Sequence, residues 1–239
     1  MQPYEEISWR FGLVCKRLTL ANMGALGTCF PFLRPDLFLT AAHCVRHVPL
    51  ADLEIQTLGL GSARATVTRV ELHPEADLAA LTIDLPSVHY INPLLLGQRA
   101  AFFWGAPVVA FGYPSDTTYM GRPGNYVRMD GPTPRFFRGH VQRNGLHVSA
   151  SGYKYQSLEL SFAAPSGLSG GPVFRDGYEE AIALVCENIE SSTYLRTITE
   201  VVDGQSHFKE TVHSMVNYAI AVDLPSVRPW LQAQAESDA

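Results

Sequence analysis

Apolar and polar residues alternate along much of the chain with a period of two. Leu53-Glu-Ile-Gln-Thr57 and Ala65-Thr-Val-Thr-Arg-Val-Glu-Leu72 put every second side chain on one face and are rich in β-branched residues, the pattern of strands with one covered face. In the second segment the parity slips between Val67 and Val70, which predicts a bulge of the kind that bends a strand into a barrel. Phe102 to Phe111, Ser157 to Phe162, Ala181 to Cys186 and Tyr218 to Val222 are further strand candidates. Several of them are too uniformly apolar to have a wet face. Helical spacing is confined to the C-terminal part, with a turn or two around Phe208, Val212 and Met215 inside Val201 to Tyr218 and a closing segment from Leu224 to Gln234. The chain reads as mostly β.

Composition narrows the picture. The chain has 239 residues, 46% hydrophobic and 17% charged, which suits one large globular domain or two small packed ones. Gly and Pro are scattered, so no stretch reads as a tail or a low-complexity tract. A seam between two halves falls in Leu94 to Pro107, which is too apolar for a free linker. The net charge of −5, with no long basic run, argues against nucleic acid and anionic membrane as partners. The longest apolar stretch, Ala100 to Gly112, is broken by Gly and Pro and is shorter than the ~20 residues a spanning helix needs. Met1-Gln-Pro-Tyr-Glu-Glu6 carries acids where an export signal carries bases, so a cytoplasmic location is expected. The four cysteines, Cys15, Cys29, Cys44 and Cys186, fit neither a disulfide framework nor a zinc pattern. Free thiols and no metal or other cofactor are the expectation.

Three short segments carry candidate chemistry: Phe38-Leu-Thr-Ala-Ala-His43-Cys44, His73-Pro-Glu-Ala-Asp77-Leu-Ala-Ala-Leu81, and Gly167-Leu-Ser169-Gly-Gly-Pro-Val-Phe174. A serine hydroxyl is a weak nucleophile until an imidazole takes its proton, and the imidazole needs a carboxylate to hold its tautomer. His43, Asp77 and Ser169 supply those three groups. The glycines around Ser169 allow a tight turn that aims backbone N–H groups at one point, so the amides of Gly167 and Ser169 are the candidate oxyanion hole. Asp77 precedes an apolar segment, where an unpaired carboxylate is costly to bury.

The three motifs, in the order His, Asp, Ser and separated by 34 and 92 residues, resemble those of the trypsin/chymotrypsin-like serine peptidases. Leu26-Gly-Thr-Cys-Phe30 and Gly112-Tyr-Pro114 add to the likeness. The resemblance implies an all-β fold of two packed six-stranded antiparallel β-barrels with a C-terminal helix. Residues 1–97 would form the barrel carrying His43 and Asp77, and residues 98–239 the barrel carrying Ser169. It further implies a serine endopeptidase acting on protein or peptide through an acyl-enzyme. A catalytically silent peptide-binding module of the same fold, and an effector protease triggered by a regulatory protein partner in a bacterial defence pathway, are the alternatives.

Departures from the family pattern matter too. Leu168 stands where secreted members carry the Asp that receives a newly freed N-terminus, so maturation by N-terminal clipping is not expected. Cys186 stands where a Ser beside the Asp is usual. Asn188 to Asn217 is a long insertion that could shape, cover or regulate the cleft. The residue six before the nucleophile, at the floor of the substrate pocket in the family, is Ala163, with Ala164 next to it. Cys186, Glu187 and Asn188 complete the expected pocket, which should prefer small to medium apolar side chains over basic ones. Glu187 and Glu190 are balanced between reading a basic substrate side chain and lying on a solvated hairpin; Glu179 and Glu180 read as the latter. In secreted relatives the strand before the His motif is often bridged to the residue after the His, which would join Cys29 to Cys44, but free thiols are preferred here.

Overall fold

The computed structural model describes residues 12–17, 23–57, 64–84, 93–98, 104–114, 118–122, 125–129, 134–178, 180–202 and 205–237. The first residues of the chain, Glu179 and the start of the expected Phe102 to Phe111 strand lie outside them. Six strands, β1 (Gly12–Arg17), β2 (Met23–Phe32), β3 (Arg34–Thr40), β4 (Leu53–Thr57), β5 (Arg64–Leu72) and β6 (Ala79–Ile83), close an antiparallel barrel in the order β1-β2-β3-β6-β5-β4. A second barrel follows the order β10-β11-β14-β13-β12-β7, from β7 (Pro107–Gly112), β10 (Arg135–Val148), β11 (Lys154–Leu160), β12 (Pro172–Arg175), β13 (Ala181–Val202) and β14 (Gln205–Asp223). Between β7 and β10, β8 (Thr118–Arg122) and β9 (Asn125–Met129) form a separate hairpin. One helical turn, α1 (Ala42–Val45), follows β3, and α2 (Arg228–Glu236) closes the described chain.

The sequence pattern accounts for the curvature and for the dry strands. The parity slip in β5 is a register shift between Val67 and Arg69 against β6, so the bulge lies where the alternation fails. In the second barrel, alternate residues face two different cores. Val108, Ala110, Val173, Val185, Ala219 and Ala221 fill the barrel interior. Their neighbours Val109, Phe111, Phe174, Leu184, Ile220 and Val222 join a cluster with Phe30, Phe38 and Leu81 of the first barrel. Both faces of these strands are buried, which is why they lack a polar parity. Each such large side chain contributes about 1.5–3 kcal/mol when fully buried, so a handful match the whole net stability of a domain. The barrels cannot part without exposing that cluster.

The seam is stitched to both barrels. Leu94 bridges to Phe32 and Leu96 to Ala181, with Leu94 N–H donating to the Pro31 carbonyl at 2.9 Å and Gly97 N–H to the Ala181 carbonyl at 2.9 Å. In α2, Leu231 is buried and Trp230 packs its edge on His73 at 5.1 Å between ring centroids. The closing helix therefore supports the loop that carries Asp77.

The expectation of helical turns around Phe208, Val212 and Met215 is corrected. These residues lie in β14, which pairs with β13 out to Val202↔Gln205. A spacing of four fits a period of two as well as one of 3.6, and pairing with β13 decided the state. The insertion from Asn188 to Asn217 is this two-stranded ribbon. Among the described residues, β14 from Tyr218 back to Gln205 pairs only with β13, and at about 3.3 Å per residue the ribbon reaches about 40 Å from Glu190. Tyr194, Leu195, Met215 and Val216 on it are each more than half exposed. Replacing residues 191–216 by an Asn-Gly turn, which joins the paired residues Glu190 and Asn217, should leave the thermal unfolding midpoint within about 4 °C of wild type, since a shift of that size is about 1 kcal/mol in a chain of this length. A larger drop in calorimetry would show that the ribbon supports the barrels.

Candidate active site

The end of β3 delivers His43 to the cleft between the barrels, and a tight turn between β5 and β6 delivers Asp77. That turn is held by His73, whose Nδ1 accepts the N–H groups of Glu75 at 3.1 Å and Ala76 at 2.9 Å, while His73 N–H donates to the Leu78 carbonyl at 2.9 Å. Burial lowers the pKa of His73, with Glu75 opposing, which favours the neutral ring needed as acceptor. Asp77, only 5% exposed, accepts two hydrogen bonds from one residue: the His43 main-chain N–H on Oδ1 at 2.8 Å and His43 Nδ1 on Oδ2 at 2.6 Å. A carboxylate here requires the proton on Nδ1, which turns the lone pair of Nε2 toward the cleft. Burial works to lower the pKa of His43, but the bond to Asp77 and the Cys44 thiol outweigh it and push the value up to about 10.

Ser169 lies in the loop between β11 and β12, and the hydrogen bonds of its neighbours leave a specific gap. Leu168 N–H donates to Pro165 O at 3.0 Å, Gly170 N–H to Val185 O at 2.7 Å and Gly171 N–H to Leu168 O at 2.9 Å. Among the described residues the N–H groups of Gly167 and Ser169 donate to nothing. Those are the two amides expected to form an oxyanion hole. Gly167 and Gly170 adopt φ of +90° and +85°, a region that side chains disfavour. Leu168, between them, is fully buried in the interior of the second barrel, so the position that carries Asp in secreted relatives is here an apolar anchor.

Cys186 closes the site from β13. Its Sγ donates to the main-chain oxygen of Asp77 at 3.3 Å, and burial pushes the thiol pKa well up, keeping it a neutral donor. The Cys186 carbonyl accepts the Ser169 hydroxyl at 3.2 Å. Among the described residues that hydroxyl makes no bond to His43. His43, Asp77, Cys186 and Glu187 line one cleft of about 210 Å³ together with Ser149 and Ser151.

The remaining pocket residues are distributed differently from expectation. Ala163 is exposed rather than a buried floor, and Ala164 is half-buried; the loop they occupy is held at the surface because Ala164 N–H donates to Asn188 Oδ1 at 2.9 Å. Glu187 faces the cleft and pairs with His147 Nε2 at 2.7 Å, whereas Glu190 and Glu180 are exposed. No residue of the ribbon beyond Glu187 lines this cleft among the described residues. Cys29 and Cys44 are both buried and are not joined by a disulfide. The residue opposite Cys44 is Gly27: a Cβ there would stand 3.6 Å from that of Cys44, so the facing position lacks the sulfur. In the sequence His73 only opens the segment that carries Asp77 and has no role of its own. Its acceptor role toward the amides two and three residues on resembles that of Asn or Asp in turns, which is the signal that could have found it.

Two antiparallel barrels, with a His–Asp pair on one and Ser169 in a tight loop on the other, give the architecture of a chymotrypsin-like protease. The family model for the trypsin-like peptidase domain matches residues 27–184, and the chain belongs to that family. No curated protein matches the sequence. Among solved structures, the active form of the Rv3671c protease from M. tuberculosis is similar with a TM-score of 0.61 at 16% identity, covering 96% of this chain and 83% of that one. The MamO protease domain from Magnetospirillum magneticum gives 0.63 at 15% identity over 95% and 98%. The HtrA-type protease AlgW, solved with a decapeptide, gives 0.60 at 13% identity over 95% and 64%.

Two outcomes follow from the geometry. With the His43 pKa raised above 6.5, the proton is held on the folded ring until the pH rises through the folded value. The stabilisation from the His43–Asp77 pair is therefore full below 6.5 and lost toward about 10. The acid limb of kcat/KM against pH, where the imidazole that must take the serine proton becomes protonated, should lie alkaline of 6.5 and shift to lower pH in Asp77→Asn, where burial acts unopposed by the carboxylate. A Cβ at Gly170 would stand 2.0 Å from the Thr28 carbonyl oxygen, so Gly170→Ala should cost about 2 kcal/mol or more in urea unfolding.

Proposed function

We propose that the protein is a serine endopeptidase. The observation that supports this most directly is the coincidence of an Asp77-oriented imidazole with the N–H groups of Gly167 and of Ser169 itself, which donate to nothing among the described residues. In this reading Ser169 Oγ leaves the Cys186 carbonyl by rotation about Cα–Cβ and attacks the scissile carbonyl as His43 Nε2 takes its proton. The carbonyl oxygen becomes an oxyanion held by the N–H groups of Gly167 and Ser169. His43 then protonates the leaving amine, and water, deprotonated by the same ring, hydrolyses the acyl-enzyme. Asp77 keeps Nδ1 protonated and steadies the imidazolium.

A second reading concerns state rather than class. The Ser169 hydroxyl resting on β13 suits an enzyme held at rest until a substrate or regulatory partner turns it. Leu168, sealed in apolar surroundings, offers no charge to an ammonium terminus. The full-length chain is therefore expected to be the active form.

Digestion of an unbiased peptide library should show cleavage by wild type. Ser169→Ala, His43→Ala and Asp77→Asn should each lose about 10³-fold or more in kcat/KM, the scale of loss when one member of a Ser-His-Asp unit is removed, while circular dichroism stays unchanged. A fluorophosphonate should label the full-length chain at Ser169, verified by intact mass. Turnover retained in Ser169→Ala would remove the serine from the mechanism, and labelling only after loss of N-terminal residues would reverse the expectation about maturation.

A further inference from the structure

The tightest polar contact between the barrels is made by one residue. Thr28 of β2 is fully buried and uses every polar group of its main and side chain that points to the junction. Its N–H donates to the Ser169 carbonyl at 2.8 Å. Its Oγ1 donates to the Gly167 carbonyl at 2.7 Å and accepts the N–H of Tyr113, just beyond β7, at 2.9 Å. Its carbonyl accepts the Thr40 hydroxyl at 2.7 Å. A hydroxyl has a single proton. Because Tyr113 N–H can only donate, that proton is committed to Gly167.

Space around Thr28 is cleared by three glycines. A Cβ on Gly112 would stand 2.8 Å from Thr28 Oγ1, one on Gly170 would stand 2.0 Å from Thr28 O, and one on neighbouring Gly27 would stand 2.8 Å from Ser169 O. Strand and loop thus approach more closely than side chains would allow. The loop between β11 and β12 has few other ties from the first barrel among the described hydrogen bonds.

We propose that Thr28 is a positioning residue for the oxyanion amides, holding the Gly167 and Ser169 carbonyls so that the Gly167 and Ser169 N–H groups face the cleft. This deepens the serine peptidase reading and rests on it. Gly167, at φ +90°, has no Cβ to restrain its backbone. Its carbonyl direction, and through it the setting of its own N–H, is fixed by the bond from Thr28. The Ser169 carbonyl is fixed by the same residue from the other side. Thr28 also bonds to Thr40, three residues before His43, so one contact sets the serine loop in register with the strand that delivers the imidazole. The amides become competent only when the barrels are docked.

The test uses the full chain as wild type, Thr28→Val, which keeps the shape and loses the hydroxyl, and Thr28→Ser, which keeps the hydroxyl. Active sites are counted by fluorophosphonate labelling to its end point, and kcat and KM are then measured per titrated site on a peptide from the library. Thr28→Val should lose about 10- to 100-fold in kcat, the scale of a misplaced or lost oxyanion donor, with KM within about threefold of wild type. Thr28→Ser should restore kcat to within about threefold. If Thr28→Val does not fold, Thr28→Ala against Thr28→Ser isolates the same hydroxyl. Wild-type kcat per titrated site in the variant without the hydroxyl overturns the proposal, even if fewer molecules fold, because a merely structural role lowers the number of sites and not their rate. A wild type that neither labels nor cleaves overturns the serine peptidase reading itself and this proposal with it.

Discussion

A carboxylate buried between two barrels constrains most of this structure. Taking Asp77 out of water is costly unless its lone pairs are filled by good donors, and His43 fills both oxygens, one through its main chain and one through its ring. That double bond needs α1 to begin directly after β3 and the turn from His73 to Leu78 to end beneath it. His73 shapes the turn and Trp230 of α2 packs on His73. The far end of the chain thus takes part in holding one charge, and Cys186 adds a neutral donor to the same residue's carbonyl.

The serine side is governed by backbone hydrogen bonds rather than by charge. Where the secreted relatives use an Asp before the nucleophile, this chain buries Leu168 among Val173, Val185 and Ala110. The loop is then secured by its own peptide bonds and by β2. Apolar anchoring needs no partner charge. The Ser169 hydroxyl, resting on the Cys186 carbonyl, is the one polar group of the site not yet aligned with the rest.

The ribbon formed by β13 and β14 stands apart from this arrangement. It springs from the strand that carries Cys186 and Glu187 and leaves the cleft open among the described residues. Among the described residues β13 and β14 pair only with each other along the ribbon, a two-stranded edge of the kind that proteins shield with charged residues. Glu190 and Arg196 stand exposed on it. Glu187, at its foot, is tied to His147 of β10, so the ribbon and the cleft wall share a support.

The sequence by itself determined the strand-rich fold, the bulge in β5, the two-faced apolar strands of the second barrel and the residues of the candidate site. These are local in origin: period-two alternation reports which faces are dry, and the short His, Asp and Ser motifs carry their own backbone requirements. Only the tertiary structure decided the rest. Whether Phe208 and Val212 lie on a helix or a strand depends on β13 being there to pair. Ala163 is exposed because Asn188, distant in sequence, holds its loop at the surface. Cys44 has no disulfide partner because the residue across from it is Gly27 rather than Cys29, a matter of register between strand and turn. Thr28 and His73 look ordinary in sequence, since a hydroxyl or an imidazole gains its role only from the carbonyls and amides that folding brings to it.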